Sequence, residues 1–162
     1  MDIAQQTSRL NGQMLSRLHQ RELDQLFNTL PPVRLGSLNG TFRGRLLGIS
    51  GINALPRFLR GLVYLVLQTP LNPWRGKTFA EGAGSNVWLN LKGQLRFAHY
   101  KVESDGETGI DFLNYDIESN WKPLRGIRGE ARQLNDQLVL ARMNYQLGDK
   151  TVRVLYFTLE TD

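Results

Sequence analysis

The sequence predicts a mainly-β domain in which about eight antiparallel strands close into a barrel, with a helical N-terminal segment and a short helix after the first strand. Three observations lead there. From residue 76 onward the chain falls into short alternating runs, at residues 77–81, 86–91, 94–103, 108–116, 126–134, 137–146 and 151–160, and residues 41–47 form an earlier one. The breaks between them, such as Lys92-Gly93, Asn135-Asp136 and Leu147-Gly148-Asp149, are too short for a parallel crossover, so neighbouring strands must run antiparallel. Glycines within the runs (Gly44, Gly109, Gly129) mark the bulges and sharp bends that a closing sheet needs, which favours a barrel over a flat sandwich.

Each element has its own signal. Residues 8–30 place Leu10, Met14, Leu18, Leu23, Leu26, Phe27 and Leu30 at helical spacings, so the segment reads as one or two amphipathic helices. Pro31-Pro32 removes a donor and clashes with the preceding turn, which ends the helix near Thr29. Gly36, Gly40, Gly44, Gly48 and Gly51 surround the strand at 41–47. Residues 56–67, with Pro56 in the first turn, are expected to be a helix, a buried strand being the alternative for the second half. In the last strand Val152, Val154, Tyr156 and Thr158 share one face, and Arg153, Leu155, Phe157 and Leu159 the other. Both faces are largely apolar, so one should line the lumen and the other should lie under the N-terminal helix. The organisation expected is one domain over residues 1–162, helical over 1–30 and barrel over 36–162.

Composition narrows the chemistry. The chain has 162 residues and no cysteine, which removes disulfides, thiolate metal ligands and thiol nucleophiles together. The first ten residues are polar and contain Asp2, unlike a secretory signal, so the cytosol is the expected compartment. The longest apolar run, residues 61–67, is far below the ~20 residues of a membrane-crossing helix. The net charge is +5, and no acidic residue stands between Asp24 and Glu81, where Arg34, Arg43, Arg45, Arg57, Arg60, Arg75 and Lys77 lie. Such a stretch attracts anions or forms a solvated basic face.

No motif completes a catalytic or metal site. Arg75-Gly76-Lys77-Thr78 is like the end of a phosphate-binding loop, yet Leu71 stands where the first glycine should be, and Pro70 and Pro73 restrict the backbone. His19 and His99 are the only histidines, and neither has a second ligand at metal spacing. Gly48-Ile49-Ser50-Gly51 has the wrong spacing for a nucleophile elbow. Asp111 and Asp116, five apart, fall on opposite faces of a regular strand, so only one could point inward, where it could pair with Arg128 or Arg142. Arg142 stands among apolar residues and needs either a partner carboxylate or an anionic ligand.

Gly40-Thr41-Phe42-Arg43-Gly44, after a helix and a Pro-Pro break, resembles the opening of the Gly-x-Trp-x-Gly domain family, with Phe42 in place of the central Trp. Tyr115-Asp116, residues 123–128 and residues 139–145 look like its companion domain of unknown function. The resemblance implies a lipocalin-like, calycin-type barrel, an architecture that commonly binds small apolar molecules. Nitrobindin-like barrels share the opening motif and bind haem through a late histidine. No histidine follows His99 here, so no haem or other cofactor is expected.

The function expected is therefore binding of an apolar or amphipathic small molecule, with or without an anionic head group, in the barrel lumen. Arg142 and Arg128 are the candidates for the head group, Tyr115, Tyr145, Tyr156 and Trp88 for walls with polar edges, and His99 for a polar pocket group. Two alternatives stand beside it: an enzyme acting on a lipid-like or cyclic substrate in the same cavity with Asp116 or His99 as acid or base, and peripheral membrane or nucleic-acid contact through residues 34–77. A binding module is favoured over an enzyme. No metal is expected, and nucleic acid is not a favoured partner.

Overall fold

The structure is a computed structural model that describes residues 10–50, 55–57, 60–61, 73–90 and 93–161. Its eight strands are β1 (Gly40–Ile49), β2 (Trp74–Ala80), β3 (Ala83–Asn90), β4 (Gly93–Ser104), β5 (Asp111–Asn114), β6 (Ile127–Gln133), β7 (Leu138–Leu147) and β8 (Lys150–Thr161). Each pairs with its sequence neighbour and β8 returns to β1, all antiparallel, so the barrel is closed and the expected fold is borne out. Tight turns make this order possible. Glu81 and Gly82, which join β2 to β3, both hold positive φ (48° and 76°), as two-residue hairpins of matching twist require.

The strand limits differ from the alternation in two places, each for a local reason. β3 begins at Ala83, three residues before the alternating run at 86–91, and Gly84 lets it lie close to its neighbours: a Cβ there would stand 1.9 Å from the Thr78 carbonyl and 2.6 Å from the Tyr100 hydroxyl. β5 is only four residues long. Asp105 gathers the Glu107 and Thr108 amides and the Thr108 hydroxyl onto one carboxylate oxygen, which holds Thr108, the start of the alternating run, in a turn.

The N-terminal segment forms α1 (Gly12–Leu15) and α2 (Gln20–Thr29). Their break falls at His19, whose backbone N–H donates to Glu22 Oε2 at 2.7 Å in a capping arrangement. Leu30 is already extended, as Pro31 demands. Leu15, Leu23, Phe27 and Leu30 bury themselves against Leu134, Leu138, Leu140 and Tyr156 on the outside of β7 and β8. Phe27 meets the Tyr156 ring edge-on at 5.7 Å, with Arg132 and Arg142 stacked over Phe27 at 4.7 and 4.3 Å. Asp24 closes the contact, accepting from the Tyr156 hydroxyl and from Arg153, both at 2.7 Å. The helix thus covers one apolar face of the last strand and leaves Leu155, Phe157 and Leu159 to the lumen, but the expected alternation breaks at the bulge against β7, where Arg153 turns to Asp24 and Val154 joins the lumen cluster.

The helix expected over residues 56–67 lies largely outside the described residues. Within them, the Arg60 N–H bonds the Pro56 carbonyl at 3.0 Å, one helical turn. No helix of the described residues is long and apolar enough to cross a membrane.

The docking of α2 gives a direct expectation. Phe27 is fully buried, so Phe27→Ala should cost about 3–5 kcal/mol of stability, whereas Met14→Ala, at a side chain 45% exposed, should cost under ~1 kcal/mol. Urea unfolding followed by circular dichroism measures both.

Candidate binding site in the barrel lumen

Residues opposite one another in an antiparallel pair point to the same side of the sheet, so register alone decides what faces the lumen. Phe42 of β1 opposes Lys77 of β2, Lys77 opposes Asn86 of β3, and Trp74 opposes Trp88. A bulge between Trp74 and Gly76 keeps both Trp74 and Lys77 on the inner face despite their odd spacing. Space for the indole comes from Gly44, where a Cβ would lie 2.3 Å from Trp74 Cη2. Gly76 lets β1 and β2 approach. Its φ is 142°, and a Cβ there would stand 1.9 Å from the Phe42 carbonyl oxygen.

Inside, the two halves of the barrel differ. Phe42, Phe79, Tyr100 and Tyr115 form a run of neighbouring rings, with centroids 5.3, 5.6 and 5.3 Å apart, which fills one half together with Leu113 and Leu159. The other half holds a cavity of about 100 Å³ walled by Leu46, Trp88, Met143, Leu155 and Phe157, with Leu124 of the β5–β6 connection at its end. Lys77, Asn86 and Tyr115 lie where the filled half meets the cavity, and all three line it.

Asn86 organises this polar group. Its Oδ1 accepts from Lys77 Nζ at 2.7 Å and from Trp74 Nε1 at 3.1 Å. Its amide donates to the Tyr115 hydroxyl and to the Ala98 carbonyl, both at 3.2 Å. Ala98 holds φ of 59° at a bulge opposite Asn86, a conformation that costs a non-glycine residue about 1–2 kcal/mol and here brings its carbonyl within reach of the amide. Lys77 Nζ also bonds the Tyr115 hydroxyl.

Lys77 is only 4% exposed, and among the described residues it has no carboxylate within ion-pair distance. The rings of Tyr100, Tyr115 and Phe157 lie 5.0–5.4 Å from Nζ and favour the cation, yet desolvation outweighs them. Burial lowers the amine to about pKa 7. Burial also raises the Tyr115 hydroxyl above its usual range, the Asn86 hydrogen bond opposing it, so Tyr115 keeps its proton near neutrality. The result is an amine with a large uncharged fraction beside a protonated phenol, under an apolar cavity.

The residues singled out from sequence divide clearly. Tyr115 and Trp88 line the cavity. Tyr145 also turns inward, but its hydroxyl donates to the Pro123 carbonyl at 2.9 Å and its ring lies under Gly126. Arg128 donates to the carbonyls of Arg125 and Ile127. Arg142 and Tyr156 belong to the outer face beneath α2, Arg142 held by Glu130 at 3.0 Å. The carboxylate that Arg142 required is thus Glu130, directly across the β6–β7 pair, rather than Asp111 or Asp116. His99 points its side chain to solvent while its backbone bonds Asn120. Asp116 is exposed as well, so neither of the two acid–base candidates meets the cavity.

Lys77 and Asn86 were not legible as site residues. Lys77 was one cation of a basic stretch expected at the surface, and the structure turns it inward while Arg43 and Arg75 remain exposed. Its position two residues before the buried Phe79 was the available signal, since such residues share a face of a strand.

No protein-family model matches the chain, and no curated protein matches it. Among solved structures, a protein from Thermomonospora curvata is similar over 100% of this chain and 99% of its own, at 19% identity and a TM-score of 0.68. That likeness shows the shared barrel.

Lys77 leaves a signature in stability. Its folded form releases its proton near pH 7, whereas the unfolded chain keeps that proton to about pH 10.5, so between those values the unfolded state binds more protons and stability rises with pH. As pH falls from about 10.5 to about 7 the contribution lost is on the order of 5 kcal/mol, and below pH 7 it changes no further. Unfolding free energies measured across this window should rise with pH in the wild type, and that component of the slope should disappear in Lys77→Met.

Proposed function

We propose that the protein is a small-molecule binding module that takes the apolar part of a ligand into the barrel cavity and holds a polar head at Lys77, Asn86 and Tyr115. The observation behind this reading is the pairing of an apolar chamber with one buried, hydrogen-bonded polar group at its floor, the arrangement by which concave sites combine affinity with orientation. The head group belongs with Lys77, in the lumen, rather than with Arg142 on the outer face. Membership of the Gly-x-Trp-x-Gly family, a lipocalin-like lipid-binding role and a cytosolic setting form part of the proposal. The glycine of the opening motif supports the first of these, since Gly44 is the position that admits the Trp74 ring.

Trp74 and Trp88 both line the cavity, so an occupant should change tryptophan emission. Titration with hexanol, octanol and octanoate should give a saturable change, and Met143→Trp, which fills the cavity, should weaken it at least tenfold. An unsaturable response, or equal affinity in the filled variant, would remove the proposal.

A further inference from the structure

We propose that Lys77 is a covalent capture site for small apolar aldehydes or ketones, binding them as an imine on Nζ inside the barrel. The inference rests on the lumen-binding reading and names the chemical class of its ligand. Imine formation needs an uncharged amine facing a space that admits a carbonyl carbon, a nearby proton donor, and surroundings that tolerate the cation formed. The lumen supplies all of these. Lys77 lines the cavity, is nearly fully buried and has no carboxylate among the described residues to hold its amine as an ammonium. Burial lowers the amine to about pKa 7, so a large fraction is uncharged near neutrality, whereas an ordinary lysine is charged there.

The atoms balance without a further reagent. The Nζ lone pair forms a bond to the carbonyl carbon as the C=O π pair moves to oxygen. One nitrogen proton is then transferred to that oxygen, giving a carbinolamine. Tyr115, hydrogen-bonded to Nζ and still protonated, can lend its proton to the oxygen and recover it from the nitrogen. The C–O bond then breaks as the nitrogen lone pair forms C=N; Tyr115 gives its proton to the departing oxygen, which leaves as water, and recovers one from the imine nitrogen, which is reprotonated from solvent when the imine becomes a cation. A protonated imine would keep the Asn86 Oδ1 acceptor and the three surrounding rings that now face Nζ. Apolar walls hold the carbon chain against the amine and limit water, which opposes hydrolysis.

A carboxylate ligand is the competing occupant, and it makes the opposite demand, since it needs Lys77 charged. Affinity for an acid should therefore fall as pH rises through ~7, whereas capture of an aldehyde should rise through the same value. The full chain is incubated with hexanal, reduced with cyanoborohydride and mapped by peptide mass spectrometry. Hexanol binding is followed in parallel by tryptophan emission.

The expected result is a hexyl adduct on Lys77 that forms at least tenfold faster than on the exposed Lys101, Lys122 and Lys150 at neutral pH. The rate should rise with pH to a plateau just above 7, and Tyr115→Phe should slow it. Adducts confined to the exposed lysines, with hexanol bound in the cavity, would overturn carbonyl capture and leave the lumen reading standing. Failure of both hexanol and hexanal to bind would overturn both readings.

Discussion

The constraint on which the site depends is a lysine amine buried inside a closed barrel with no carboxylate partner among the described residues. An ammonium in such a place loses its hydration, and the effective penalty is several kcal/mol unless a carboxylate repays it. Here the repayment is partial: one amide oxygen, one phenol and three ring faces. The remainder is met by a lowered proton affinity, which brings the amine to about pKa 7 and leaves a large uncharged fraction at ordinary pH.

Much of the barrel's irregularity converges on this group. The β2 bulge turns Lys77 and Trp74 inward together, Gly44 opens room for the indole, and Ala98 holds a left-handed backbone whose carbonyl receives Asn86. Irregular backbone of this kind is costly and persists where the surroundings determine it. The outer face follows a different rule. There Glu130 neutralises Arg142, Asp24 neutralises Arg153, and α2 excludes water from an ordinary apolar contact. Under α2 the arginines are paired with carboxylates, whereas among the described residues Lys77 within the barrel has none.

How far the sequence could be read follows from the range over which each signal acts. Strand number, antiparallel pairing and the end of α2 at Thr29 depend on local turns, alternation and proline, and all of these are written in adjacent residues. The division of the last strand into a lumen face and a helix face could be read from Leu155 onward, because both faces are apolar, but not at Arg153 and Val154, where the bulge against β7 exchanges the faces. The site needed register. Lys77 reads as a surface cation until the bulge between Trp74 and Gly76 and the pairing with Asn86 are known, and neither leaves a mark in composition. Arg142 shows the same limit from the other side. Its need for a partner was evident from the apolar residues around it, but the identity of Glu130 depended on which residue of β6 stood opposite.

The state of the Lys77 amine can be observed without any ligand. Titration of the full chain by NMR, following the ε-methylene signals of isotope-labelled lysine and assigning Lys77 by its loss in Lys77→Met, reports each amine separately. The account requires the Lys77 signal to titrate near pH 7, well below the ~10.4 of a lysine free in water. A Lys77 signal that stays with the others would mean that the amine is hydrated or paired after all, and the uncharged group at the floor of the cavity would not exist.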